Sequence, residues 1–168
     1  VLPYLVPMLE NAGANVFLPR ERDTQKHEII VDNDRNKDKS IYKEINGKES
    51  WTAGYYEGFA YLKESYLDGE NPFRSGSYKE VKTIKNGEES RCEWIPDIPE
   101  NGKYGVYISY KTLANSTDDA RYTVYHKGGK TDFSINQKMG GGTWIFLGYF
   151  SFDKGINENC KVVLRSEE

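Results

Sequence analysis

The residues able to do chemistry are few. Imidazole is both a frequent metal ligand and a frequent general base, and the chain has two histidines, His27 and His126. A catalytic zinc needs three protein ligands. His27, Glu28 and Asp32 supply three candidate groups, but their spacing matches no ligand motif, and His27 reads as a solvated loop residue. His126 stands beside Gly128-Gly129 with no acid or nucleophile in a recognisable motif, which makes it a turn or packing residue. The run Asp32-Asn33-Asp34-Arg35-Asn36-Lys37-Asp38 resembles the opening of a calcium loop. It departs at the sixth position, where the sharp turn needs Gly and the chain has Lys37, and at the twelfth, where Glu is needed and Lys43 stands. A structural calcium of another geometry stays open, since clustered carboxylates suit a hard cation. A solvated acidic turn is the simpler reading. Gly140-Gly141-Gly142-Thr143 lacks the lysine of a phosphate loop and reads as a turn. No catalytic residue and no metal ligand is nominated.

Aromatic side chains are the remaining candidates. A sugar ring offers a face of C–H groups that stacks on Trp or Tyr, while carboxylates and amides take its hydroxyls. Trp94 and Trp144 fall within strand patterns and are expected in the core. Trp51, Tyr55 and Tyr56 lie in an irregular region, so they are the candidate glycan-stacking residues, with Asp32 and Asp34 as hydroxyl partners. Capping one end of a hydrophobic core is the competing role for those three rings.

These residues need a scaffold, and composition points to strands. The chain has 168 residues, 37% hydrophobic and 14% aromatic, with 13 tyrosines, a balance too aromatic for disorder. A net charge of -3 with no basic stripe argues against nucleic acid. No segment approaches the ~20 apolar residues of a membrane span. Cys92 and Cys160 both open predicted strands and are either paired or free and buried. The chain starts Val1-Leu2-Pro3-Tyr4, without an initiating Met or a positive leader, and is expected to be a piece of a longer protein.

Residues 3 to 12 predict a short helix, with Leu5, Met8, Leu9 and Ala12 on one face, Gly13 to stop it, and a strand at 14–18. A charged linker follows to residue 26. Strands are predicted at 28–32, 78–84, 91–95, 103–110, 120–126, 131–136, 143–152 and 161–164, and residues 41–77 are expected as irregular loops with short strands. Asn86-Gly87, Asn101-Gly102 and Lys127-Gly128-Gly129-Lys130 supply turns. The expected fold is all-β, an antiparallel, jelly-roll-like β-sandwich carrying a helix–strand appendage.

The strand motifs also resemble a known family. They are Glu93-Trp94-Ile95-Pro96-Asp97-Ile98-Pro99, Gly102-Lys103-Tyr104-Gly105-Val106-Tyr107-Ile108-Ser109-Tyr110, Ala120-Arg121-Tyr122-Thr123-Val124-Tyr125-His126-Lys127-Gly128-Gly129, Gly142-Thr143-Trp144-Ile145-Phe146-Leu147-Gly148 and Phe152-Asp153-Lys154-Gly155. In this order, over residues 29–165, they resemble the golvesin C-terminal-like domain, the carbohydrate-binding-like domain of xanthan lyases. That family pattern continues with a strand of Ala-Asp-Ala-Val-Arg type, whereas the chain stops at Ser166-Glu167-Glu168. Residues 5–23 are similar to a helix–strand piece of the zinc-dependent N-acetylmuramoyl-L-alanine amidases. Together the resemblances imply residues 1–26 as part of an amidase-like α/β domain plus linker and residues 27–168 as the sandwich.

They further imply a non-catalytic accessory module of a secreted or surface bacterial enzyme. Polysaccharide or peptidoglycan and a neighbouring catalytic domain would be its partners. Its location would be periplasmic, cell-surface or extracellular. No cofactor is expected within the piece itself, zinc belonging only to a flanking amidase-like domain. A purely structural module that touches no sugar, and a non-catalytic fragment of a zinc amidase, are the alternatives.

Overall fold

The computed structural model describes residues 28–59 and 71–168. Nine strands form: β1 (Ile41–Ile45), β2 (Thr52–Gly58), β3 (Gly76–Glu80), β4 (Arg91–Ile95), β5 (Gly102–Ile108), β6 (Ala120–His126), β7 (Gly129–Ile135), β8 (Ile145–Phe152) and β9 (Lys161–Arg165). One 3-10 turn, Pro72–Arg74, precedes β3 and is capped by the Asn71 side chain, which accepts from the Phe73 N–H at 3.0 Å. Every strand pairing is antiparallel. The larger sheet runs β1-β4-β9-β6-β7, and the ribbons β2-β3 and β5-β8 complete the strands.

Alternation decides which side of the larger sheet is apolar. Trp94, Tyr122, Val124, Phe133, Val162 and Leu164 fall on one face and pack against Val106, Ile108, Leu147, Phe150 and Phe152 of the β5-β8 ribbon. Two layers closed over one apolar seam make this a β-sandwich. Val124 is wholly buried, and the buried Tyr122 hydroxyl is satisfied by the Gln137 amide at 2.9 Å. The opposite face of the larger sheet carries charge. Lys161 bonds Glu93 and Glu158, both at 3.0 Å, Arg91 bonds Glu93 at 3.2 Å, and Lys43 reaches Glu158 at 2.6 Å. Burial alone would raise the Glu93 carboxyl, but the Lys161 hydrogen bond and charge, with Arg91 and Lys43, outweigh it and hold Glu93 below the usual range.

Most predicted strands are present, β4 and β6 with the predicted limits. The differences have local causes. Residues 28–32 form no strand: the Asp34 N–H donates to Asp32 Oδ1 at 2.8 Å and the Asp32 N–H to Asn36 Oδ1 at 2.7 Å, so side chains take backbone amides that a ladder would need. The 78–84 prediction splits into β3 and a parallel bridge of Ile84 to Glu167, where the Ile84 N–H donates to the Ser166 carbonyl at 2.8 Å. Within 41–77, β1 and β2 are more regular than expected, because β4 and β3 supply pairing partners. Both cysteines are free and buried: Cys92 lies opposite Leu164 in the β4–β9 register, four residues beyond Cys160 along the strand direction. The predicted helix and strand at 3–18, the linker and His27 lie outside the described residues.

Candidate functional site

The residues nominated from sequence separate into two environments. Asp32 and Trp51 both border a partly open cleft of about 1410 Å³, with Tyr42 and Trp94. Trp51 is half-buried, and its indole N–H is already committed to the Arg91 carbonyl at 3.1 Å. Asp32 is buried, and desolvation, with the charge of Asp34 adding to it against a backbone hydrogen bond, pushes its carboxyl up to about 6.

Tyr55 and Tyr56 face solvent from β2. The β2–β3 register shifts between Gly54 and Gly58, and within that irregular stretch Tyr56 takes a positive φ of 64°. A non-glycine residue pays about 1–3 kcal/mol for such a conformation. Asp34 is tied to the same end of the ribbon: it accepts from the Ser77 N–H at 3.1 Å and from the Ser77 hydroxyl, next to the Gly58–Gly76 pair. The fold therefore brings Asp34 to the ribbon that carries Tyr55 and Tyr56, and places Trp51 at its other end, against β4.

Trp144 is not in the core. Strand β8 begins one residue later, and the preceding turn passes through Gly142 at φ 73°. The Trp144 ring is 39% exposed and stands edge-on to Phe59 and Phe73, with centroids 5.1 and 5.7 Å away. Trp94 does pack inward, 5.7 Å from Tyr42 across the β1–β4 pair. His126 is a packing residue, as its position suggested: its ring lies 5.0 Å from Phe150, and Nε2 is 3.0 Å from the Thr131 hydroxyl. Among the described residues no group of three or more His, Cys, Asp and Glu side chains is placed to hold a metal ion.

A further aromatic group was not nominated from sequence. Tyr107 on β5 and Phe146 and Tyr149 on β8 stand on the outer side of the β5-β8 ribbon. Tyr107–Phe146 and Phe146–Tyr149 centroids are each 5.1 Å apart, tilted by 46° and 66°. Residues 146 and 149 would point to opposite faces in a regular strand. Here the register shifts between Val106 and Tyr107, opposite Gly148, which holds φ 143°. This bulge turns the second half of β8 over, so both rings emerge on one side. The legible signal was the strong inward set Tyr104, Val106, Ile108, which leaves Tyr107 outward. The bulge had no equivalent signal beyond a glycine inside a strand.

Comparison with known proteins bears on this arrangement. The Golvesin C-terminal domain pattern matches residues 68–168, which is most of the chain and covers β3 through β9. The chain belongs to the Golvesin C-terminal domain family. It is also 33% identical over 62 residues to a xanthan lyase of Bacillus sp. (strain GL1). That similarity takes in 37% of this chain and only 7% of the lyase. No solved structure matches the chain significantly. Among the described residues, no helix is long and apolar enough to cross a membrane.

Proposed function

We propose that this golvesin-family domain is a non-catalytic accessory module of a secreted or surface bacterial enzyme, and that it binds or positions an extracellular or cell-wall polysaccharide. The observation that carries the reading is the solvent-facing pair Tyr55 and Tyr56, held out from an irregular β2 in an antiparallel ribbon. Aromatic rings kept in water, Tyr56 at a conformational cost, suit stacking on sugar C–H faces. Asp34, exposed and anchored at the same ribbon, is the hydroxyl partner in this reading; Asp32 is buried beside it and holds the turn, and the Trp51 indole ties the start of β2 to β4. Family membership and the likeness to part of a protein named xanthan lyase support a neighbouring catalytic domain and an extracellular setting.

Affinity electrophoresis tests it. The chain is run through gels containing bacterial exopolysaccharides or soluble peptidoglycan, beside Trp51→Ala and the double variant Tyr55→Ala/Tyr56→Ala. Retardation of the parent chain by at least one polymer, weakened in the double variant, is the expected result. Unchanged mobility of the parent in every gel removes the sugar-binding reading and leaves a structural module. The amidase reading of residues 5–23 rests on that segment alone, and its test is zinc content and muropeptide cleavage by the full-length protein.

A further inference from the structure

The two outer faces of the sandwich differ in kind. On the five-stranded sheet, charged side chains pair with one another: Lys43, Arg91, Glu93, Glu158 and Lys161 form one connected group, and Arg165 bonds the Thr123 and Tyr125 hydroxyls at 2.8 Å each. That is a face whose polar groups are satisfied by one another. The outer face of β5-β8 instead presents Tyr107 at 53% exposure, Phe146 at 47% and Tyr149 at 64%, in mutual contact. Contiguous exposed aromatic surface on a folded domain marks an interaction site.

Several features of the strip bear on its occupant. Gly105 lies opposite Tyr149, in the middle of the three rings, and a Cβ there would stand 3.3 Å from Tyr107, 3.3 Å from Tyr149 and 3.5 Å from Phe146. The absence of a side chain leaves the ring surfaces uninterrupted. The rings pack against one another, tilted by 46° and 66° with centroids 5.1 Å apart, so they form a narrow, non-planar strip that suits a single chain rather than a flat crystalline sheet. Lys103, two residues before Gly105 and therefore on the same side of β5, has no acidic partner among the described residues and lies opposite Ser151. An uncompensated ammonium at the end of an aromatic strip complements a carboxylate, and its long stem also lends apolar cover.

We infer that the outer face of β5-β8, Tyr107, Phe146 and Tyr149 around Gly105 with Lys103 at the rim, is a stacking strip for a single chain of a carboxylate-bearing polysaccharide. This rests on the sugar-binding reading above and assigns it a second surface, distinct from the β2–β3 ribbon. The polymer is held by ring stacking along the strip and by Lys103 on an acid group of one sugar.

Isothermal titration of the full chain with a soluble uronic-acid polysaccharide, and with the same polymer after carboxyl reduction, tests it. Binding to the acidic polymer is expected. Tyr107→Ala/Tyr149→Ala should weaken it at least tenfold. Gly105→Val, which keeps all three rings but inserts a branched side chain between them, should weaken it several-fold. Lys103→Gln should lower affinity for the acidic polymer and leave that for the reduced polymer unchanged. Near-parental circular dichroism and melting temperature in Gly105→Val and Lys103→Gln separate lost binding from lost fold. Parental affinity in the double ring variant, with the parent still binding, overturns the strip while leaving the sugar-binding reading intact. No binding of either polymer by the parent overturns the strip and its acidic ligand, and retardation in the affinity gels above then decides the sugar-binding reading separately. Sedimentation that shows a dimer in the parent and a monomer in the ring variants assigns the strip to a second copy of the chain and overturns its assignment to sugar.

Discussion

Asp32 shows how one side chain acts in two ways at once. Its carboxylate caps the Asp34 N–H, which is why residues 32–36 turn instead of extending, yet burial raises its pKa to about 6. A carboxyl that binds its proton more tightly in the folded state than in the unfolded chain stabilises the fold most at low pH. That contribution is complete below the ordinary Asp value near 3.8 and is lost as pH rises through about 6. Asp32→Asn keeps an oxygen for the Asp34 N–H and removes the buried charge and its repulsion with Asp34. It should therefore gain roughly 2–3 kcal/mol at pH 7.5 and almost nothing at pH 4. Urea unfolding at the two pH values checks this, and an equal gain at both would rule out ionisation as the cause. The same residue was legible from sequence as part of an acidic cluster. Its burial was not, because burial comes from packing of remote segments over the loop.

At the scale of elements, β8 is the decisive strand. Its sequence, Ile145-Phe146-Leu147-Gly148-Tyr149-Phe150-Ser151-Phe152, reads as plain alternation, and its limits were predicted to within two residues. Alternation cannot place a bulge, however. The bulge at Gly148 sends Phe146 and Tyr149 outward while Leu147, Phe150 and Phe152 stay in the core. A φ of 143° is strained for any residue with a Cβ, and at Gly148 that atom would also press to 3.3 Å on the Phe150 ring. Gly148→Ala is expected to cost about 1–3 kcal/mol by thermal unfolding. It should also disturb the Tyr149 environment, seen as a shift of its ring resonances. A neutral effect on both would mean that the bulge does not depend on glycine. Trp144 teaches the same lesson at the strand's start, because a ring assigned to the core by pattern lies instead in the turn, against Phe59 and Phe73.

The described residues form a two-layer sandwich held by the seam between the five-stranded sheet and β5-β8. Ile98, Val124, Phe152 and Cys160 form one buried cluster, and Ile108, Ala120 and Tyr122 another beside it. Phe152 is 4% exposed at the end of β8, so Phe152→Ala should lower stability by about 3–5 kcal/mol. In urea this appears as a lower midpoint with an unchanged slope if the fold stays two-state. A loss under 1 kcal/mol would show that this part of the seam collapses around the gap. On the outer face of the larger sheet, the exposed Lys43–Glu158 pair contributes little in water, whereas the largely buried Glu93–Lys161 pair would leave an uncompensated charge if one partner were removed.

Local chemistry was readable in one dimension: most strand positions, the turns at Asn86-Gly87 and Lys127-Gly128-Gly129-Lys130, and the family pattern. Period-two alternation and turn-forming residues act over a few neighbours, so they are written directly along the chain. The grouping of Tyr107 with Phe146 and Tyr149, the fate of Asp32 and the exposure of Trp144 depend instead on strand register. Register is settled by pairing between segments far apart in the chain and by one bulge, and only the folded molecule contains that information.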